Sequence, residues 1–255
     1  MFGITFDTWD FFDSIPHDNL LSDLTFAVDA EFCQNKDFAA KYSRCDCRGL
    51  NIRNVLPRNL NRIILESPFK LQTDYLESLA KQAENFTNLG VRKVMFDFDL
   101  PSVFKDKDLS MSLQKILAPI KGIMYEAKIE TELHFRLPGP DIAEFSKLAA
   151  EFRQKSMSGM NYSIDLHIHE AGGAKDSLID ELDPILFDIG TLNFVYDAAL
   201  GNKLNPQLVK NIIGSLNNYT CRCDYCLCPS DNIDFRYIQT DLQQWLSILH
   251  DCKSN

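Results

Sequence analysis

The feature that most constrains the fold is a recurrence. A short run of strand-type residues is followed by an amphipathic helical run, and the pair repeats along the chain. Strand patterns start near Gly3, Leu24, Arg62, Arg92, Ile129, Tyr162, Thr191 and Tyr219. From the third onward the starts lie about 30 residues apart, the length of a strand–helix unit. Strands that alternate with helices need parallel crossovers, and eight such units predict closure into a barrel. An antiparallel sheet with one wet face also alternates, but it leaves the intervening helices without a role.

The helical stripes are explicit. Leu76, Leu79, Ala80, Ala83 and Phe86 share one face, as do Ile142, Phe145, Leu148, Ala149 and Phe152. Leu208, Val209, Ile212, Ile213 and Leu216 follow Pro206, a good first-turn residue. Leu242, Trp245, Leu246 and Leu249 form the last stripe. Thr73 and Asp74 are candidate caps of the first helix, and Asn88 with Gly90 would end it. No repeat, low-complexity tract or Pro/Gly/Ser linker divides residues 1–255, so one α/β barrel domain is expected. Residues 32–60 read as an irregular excursion after strand two.

Composition narrows the function classes. The formal charge is −10, and no basic cluster is visible, which argues against nucleic acid as a partner. No apolar stretch is long enough for a membrane span. Met1–Asp10 lacks the basic and apolar regions of a signal peptide, which leads to a cytoplasmic expectation. The eight cysteines then read as thiols or metal ligands rather than disulfides.

Parity within the strands locates the chemistry. Glu130, Glu132, His134 and Arg136 alternate with Ile129, Thr131, Leu133 and Phe135. Asp165, His167 and His169 alternate with Ile164, Leu166 and Ile168. Met95, Asp97 and Asp99 alternate with Val94, Phe96 and Phe98, and Asn193, Val195 and Asp197 with Leu192, Phe194 and Tyr196. In a barrel the polar parity faces the lumen, and active sites form at the C-terminal ends of the strands.

His134, His167 and His169 are three of five histidines, and the latter two lie roughly 7 Å apart on one strand face. With Asp197 they are the candidate ligands of a divalent metal, namely zinc, manganese, iron or cobalt. Glu132, Asp97 and Asp165 are candidate general acids or bases, since crowded buried carboxylates gain proton affinity. Glu66 is a further carboxylate near the rim. Gly172, Gly173 and Lys175, and Gly201, Asn202 and Lys203, are loop candidates for holding an anion.

Six of the eight cysteines form two groups: Cys45 with Cys47, and Cys221, Cys223, Cys226 and Cys228. Cys221 and Cys223 read as part of strand eight. In a closed barrel the two groups can meet, as a second, structural metal site or a redox site. Plain buried cysteine is the alternative.

The segments "NLGVRKVMFDFDLP", "IETELHFRL", "YSIDLHIHEAG" and "LNFVYDAA" resemble strands four to seven of the xylose isomerase-like TIM barrels. The resemblance implies a metal-dependent isomerase or epimerase acting on a sugar or sugar phosphate. The site residues depart from the family pattern: His134 stands where a glutamate is usual, Val195 where a histidine is common, and Asp224 is the nearest candidate for the last glutamate. Two rival readings follow. "DLHIHEAGG" resembles the D-x-H-x-H strand of amidohydrolase and phosphoesterase-like metal hydrolases. A degenerate, non-catalytic barrel serving as a binding partner is the other.

Overall fold

The computed structural model describes residues 2–5, 24–44, 47–53, 69–97, 107–136, 142–155, 159–167, 178–196, 205–218, 223–229, 242–248 and 250–251. Its strands are β1 (Phe2–Thr5), β2 (Thr25–Asp29), β3 (Gly49–Arg53), β4 (Val91–Asp97), β5 (Glu130–Arg136), β6 (Asn161–His167), β7 (Ile189–Tyr196) and β8 (Asp224–Pro229). Each pairs in parallel with the next, and β8 returns to β1, with Gly3 opposite Cys226. A parallel curled sheet with helices in the crossovers is the α/β architecture expected from the recurrence.

The apolar parity faces outward under the helices. Leu50, Ile52, Val94, Phe96, Leu133, Ile164, Leu192 and Phe194 are buried with Leu79, Ala83 and Phe86 of the helix Phe69–Asn88. Phe145, Ala149 and Phe152 of Ile142–Lys155 join them, as do Val209, Ile213 and Leu216 of Pro206–Asn218. Trp245, in helical residues 242–248, stacks edge-on against Phe194 at 5.7 Å between ring centroids. The helix after Asn205 starts on Pro206, and Asn205 Oδ1 accepts a hydrogen bond from the Leu208 amide at 3.1 Å. Gly90, at φ 70°, ends the first long helix, a conformation that favours glycine.

Several sequence expectations are corrected. Strand three is Gly49–Arg53, whereas Arg62 and Glu66 lie outside the described residues. The stretch after β2 is not wholly irregular: it holds the short helices Ala30–Cys33 and Phe38–Tyr42 before β3. A five-residue strand carries only two apolar alternations, Leu50 and Ile52, so it is hidden among polar neighbours. Thr73 and Asp74 lie inside their helix rather than capping it. Strand eight starts at Asp224, so Cys223 precedes it and Cys226 and Cys228 lie on it. Cys221 lies outside the described residues, as does Leu249.

Candidate functional site

The opposite parity fills the lumen. Its side chains form two polar groups separated along the barrel axis, joined by a middle zone of smaller residues. In that zone Asn193 Nδ2 donates to Ser163 Oγ at 3.1 Å, and Ser163 donates to Met95 Sδ at 3.5 Å.

The group toward the C-terminal ends centres on Asp165. His134 Nε2 lies 2.8 Å from Asp165 Oδ1, and Asn193 Nδ2 donates to the same oxygen at 2.8 Å. Arg53 Nη2 lies 4.0 Å from Asp165 Oδ2, and Arg53 Nη1 lies 3.9 Å from Cys228 Sγ. His134 is fully buried and Asp165 nearly so. On the other side of the imidazole, His134 Nδ1 faces Asp97 Oδ1 at 3.9 Å. Asp97 ends β4 with its side chain 28% exposed, so it is the member of the chain Asp165–His134–Asp97 that reaches the mouth. Three buried atoms here have no hydrogen-bond partner among the described residues: Arg53 Nε, His134 Nδ1 and Asn193 Oδ1.

Electrostatics fix the charge of this group. Burial alone would raise the Asp165 carboxyl, but His134, Arg53 and the Asn193 amide outweigh it and hold the group at about 2. The expectation of raised proton affinity at Asp165 is therefore corrected: it has cationic and hydrogen-bonding partners where the sequence showed only acidic neighbours. Burial disfavours the Arg53 cation, yet the carboxylates of Asp165 and Asp29 outweigh it and the guanidinium stays charged. Burial also keeps the Cys228 thiol protonated.

The second group lies toward the N-terminal ends. Lys93 Nζ lies 2.6 Å from Glu132 Oε1, 2.8 Å from Asp224 Oδ2 and 3.0 Å from Thr191 Oγ1. Burial works against the Lys93 charge, but its two carboxylates outweigh burial and raise its affinity for the proton. Burial raises Glu132 above the ordinary carboxylate range, and Lys93 only partly offsets it. Asp224, less buried, is held low by Lys93 despite its burial. Glu132 thus sits away from His134 and Asp97, in the other half of the lumen. Gly190 is required beside it, because a Cβ there would collide with Glu132 Oε1.

Of the proposed metal ligands, His134 is buried on Asp165, and His167 stands exposed at the end of β6. His169 and Asp197 lie outside the described residues, as do Asp99 and both glycine-containing loops. Among the described residues no three cysteines come together. Period two sends Cys223 into the helix-facing core, while Cys226 and Cys228 enter the lumen beside Ala27 and Val195. Cys47 pairs with the Tyr42 hydroxyl at 3.6 Å and the Gly49 carbonyl at 3.7 Å, and Cys45 lies outside the described residues. No group of three His, Cys, Asp or Glu suited to a metal ion occurs among the described residues.

Two members were missed in the sequence. Arg53 lies in the stretch 32–60, which reads as irregular in sequence. Lys93 shares the parity of Met95 and Asp97, and that parity was the available signal.

No protein-family model matches the chain, and no curated protein matches its sequence. Solved structures match it along most of its length. A sugar phosphate isomerase/epimerase from Parabacteroides distasonis is 10% identical, with a TM-score of 0.61 over 96% of this chain and 94% of that one. A xylose isomerase domain protein from Planctomyces limnophilus is 9% identical, with a TM-score of 0.59 over 100% and 98%. A xylose isomerase-like TIM barrel protein from Mycobacterium smegmatis, solved in complex with magnesium, is 11% identical, with a TM-score of 0.57 over 90% and 83%. Identities this low speak for the fold alone: the chain has the fold of the xylose isomerase-like TIM barrels.

Proposed function

We propose that the chain is a sugar isomerase- or epimerase-type enzyme, moving a proton at a carbon beside the carbonyl of a small polyhydroxylated substrate. The observation that carries this reading is the chain Asp165–His134–Asp97 running from the buried lumen to the C-terminal mouth. Asp97 is the candidate catalytic residue, since it alone of the three is substantially exposed. His134 is a positioning residue: Asp165 fixes one ring nitrogen and leaves the other facing Asp97. Such a chain can store the proton that Asp97 removes. The structural neighbours, described as sugar isomerases and epimerases, support the same class.

Of the proposed metal set, His134, His167, His169 and Asp197, His134 and His167 lie among the described residues. A histidine tied to a carboxylate on one nitrogen and open on the other is a sound ligand. Only Asp97 converges on the open nitrogen among the described residues, and two donors fall short of a metal site. The charged Arg53 guanidinium in the same half of the lumen adds repulsion toward a dication. No step is therefore routed through a metal. A second reading, a barrel that binds a sugar without turning it over, is favoured by Val195, which stands where the resembled family commonly carries a histidine.

The test is proton exchange. Ketoses, aldoses and their phosphates are incubated with the protein in D2O, with and without added Mn2+, Mg2+, Zn2+ or Co2+, and loss of the C–H signal is followed by NMR. Exchange is expected with at least one sugar, reduced about 100-fold or more by Asp97→Asn. Absence of exchange at stoichiometric protein in every condition overturns the enzyme reading, and saturable binding without exchange selects the second.

A further inference from the structure

Arg53 and Asp97 are the last residues of β3 and β4, two neighbouring strands, and both belong to the lumen parity. Their side chains are 11% and 28% exposed, so each keeps some surface at the C-terminal mouth. Asp97 is the base of the proposed reaction, which so far uses no side chain of β3.

The guanidinium carries more donors than its surroundings accept. An arginine presents five N–H groups in a planar fork. Asp165 Oδ2 lies 4.0 Å from Nη2, beyond hydrogen-bond reach, and Asp29 acts on the cation through its charge. The Cys228 sulfur, a weak acceptor, lies 3.9 Å from Nη1. Nε is buried with no hydrogen-bond partner among the described residues. Donors withdrawn from water without an acceptor are costly, so the arrangement suits an oxygen supplied by a ligand.

The local charge says what kind of oxygen. Asp29, Asp97 and Asp165 stand at this mouth with Arg53, so a ligand that arrives as an anion meets repulsion. A neutral carbonyl oxygen does not. When Asp97 removes the proton beside the carbonyl, the C–H electron pair forms a carbon–carbon double bond. The carbonyl π pair then moves onto the oxygen. One negative charge leaves the carboxylate and appears on the substrate oxygen, with the total charge of the mouth unchanged. A fixed cation at that oxygen stabilises charge where it develops rather than in the bound ground state.

We propose that Arg53 is a second catalytic residue of this site, its guanidinium donating to the substrate carbonyl oxygen and stabilising the enediolate formed as Asp97 takes the proton, a role that rests on the sugar isomerase or epimerase reading.

Deuterium exchange into the sugar that wild type turns over tests this in the full chain. Arg53→Gln, Arg53→Ala and Arg53→Lys are compared, each checked for folding by circular dichroism and a urea melt. Arg53→Gln, which keeps donors without the charge, should lower kcat about 100-fold or more, with KM changed less than about threefold. Arg53→Lys keeps the charge without the fork and should lose about tenfold. Methylguanidinium should restore Arg53→Ala about tenfold or more, saturably, and leave Asp97→Asn impaired, which a purely structural role would not produce. A folded Arg53→Gln that exchanges as fast as wild type, or loses only in KM, overturns the proposal and leaves the enzyme reading standing. Absence of rescue in a folded, impaired Arg53→Ala has the same consequence. If neither neutral variant folds, Arg53→Lys decides, and an undiminished kcat overturns the proposal. No exchange by wild type with any sugar overturns the enzyme reading itself, and the proposal with it.

Discussion

The imidazole of His134 and the carboxylate of Asp165 meet at 2.8 Å inside the lumen, both removed from solvent. Neither is supported by a residue near it in sequence. Their partners come from β3, β4 and β7, so the pair exists only in the closed sheet, and its loss is a global event rather than a local one.

Acid sensitivity follows. The Asp165 carboxyl is held at about 2 against an ordinary value of 3.8. A depressed carboxylate stabilises the fold fully above its unfolded value, and that contribution is lost as pH falls through the folded value. The window therefore runs from about pH 4 down to pH 2, and the loss is roughly 2 kcal/mol. Urea melts of wild type should lose stability across this window, whereas Asp165→Asn should be flatter there and less stable at neutral pH. Parallel curves for the two proteins would show that Asp165 does not carry the charge described.

Glu132 has the opposite sign. Its proton affinity is raised, so the folded state holds a proton that the unfolded chain releases just above pH 4.5. Stability contributed by this group therefore declines as pH rises from there toward the folded value. Glu132→Gln removes the decline, so the difference between variant and wild type should shift in the variant's favour with rising pH. Chemical denaturation at several pH values reads this directly.

Lys93 bridges Glu132 and Asp224. Lys93→Met leaves the buried Glu132 without its ammonium and Asp224 without one of its cations, which costs about 3–5 kcal/mol. Adding Glu132→Leu to that variant removes the stranded charge and should restore part of the loss. The two single changes will thus fail to add, and a double-mutant cycle measures the coupling. Simple additivity would mean that the ammonium and the carboxylate do not interact.

How much of this was legible follows from the physics of each level. Long amphipathic helices and seven-residue strands such as β4, β5 and β6 declare themselves, because each carries three or more alternations. Lumen parity was equally plain, and it placed Asp97, His134, Asp165 and Asn193 correctly. What could not be read was which lumen residues share a level. Register between neighbouring strands is set by tilt and by shifts, as between Leu50 and Asn51, and it leaves no local mark. That is why Glu132 looked like a companion of His134, two residues away on the same face, when its partner is Lys93 on the next strand. The cysteine group misled for the reverse reason: closeness in sequence across a strand start puts Cys223 and Cys226 on opposite faces.

Gly190 offers the sharpest packing test. A Cβ at this position falls on Glu132 Oε1 and comes within 2.8 Å of Glu132 Cδ and 3.1 Å of the Asn161 Cβ. The carboxylate cannot retreat without lengthening its 2.6 Å contact to Lys93. Gly190→Ala should therefore destabilise the protein by about 1–3 kcal/mol, the range for overpacking a filled interior. Shortening the obstructing side chain removes the clash, so Gly190→Ala made in a Glu132→Ala background should cost about 1 kcal/mol or less. Thermal melts of the four proteins in the cycle decide it: an equal cost in both backgrounds would place the strain somewhere other than at Glu132.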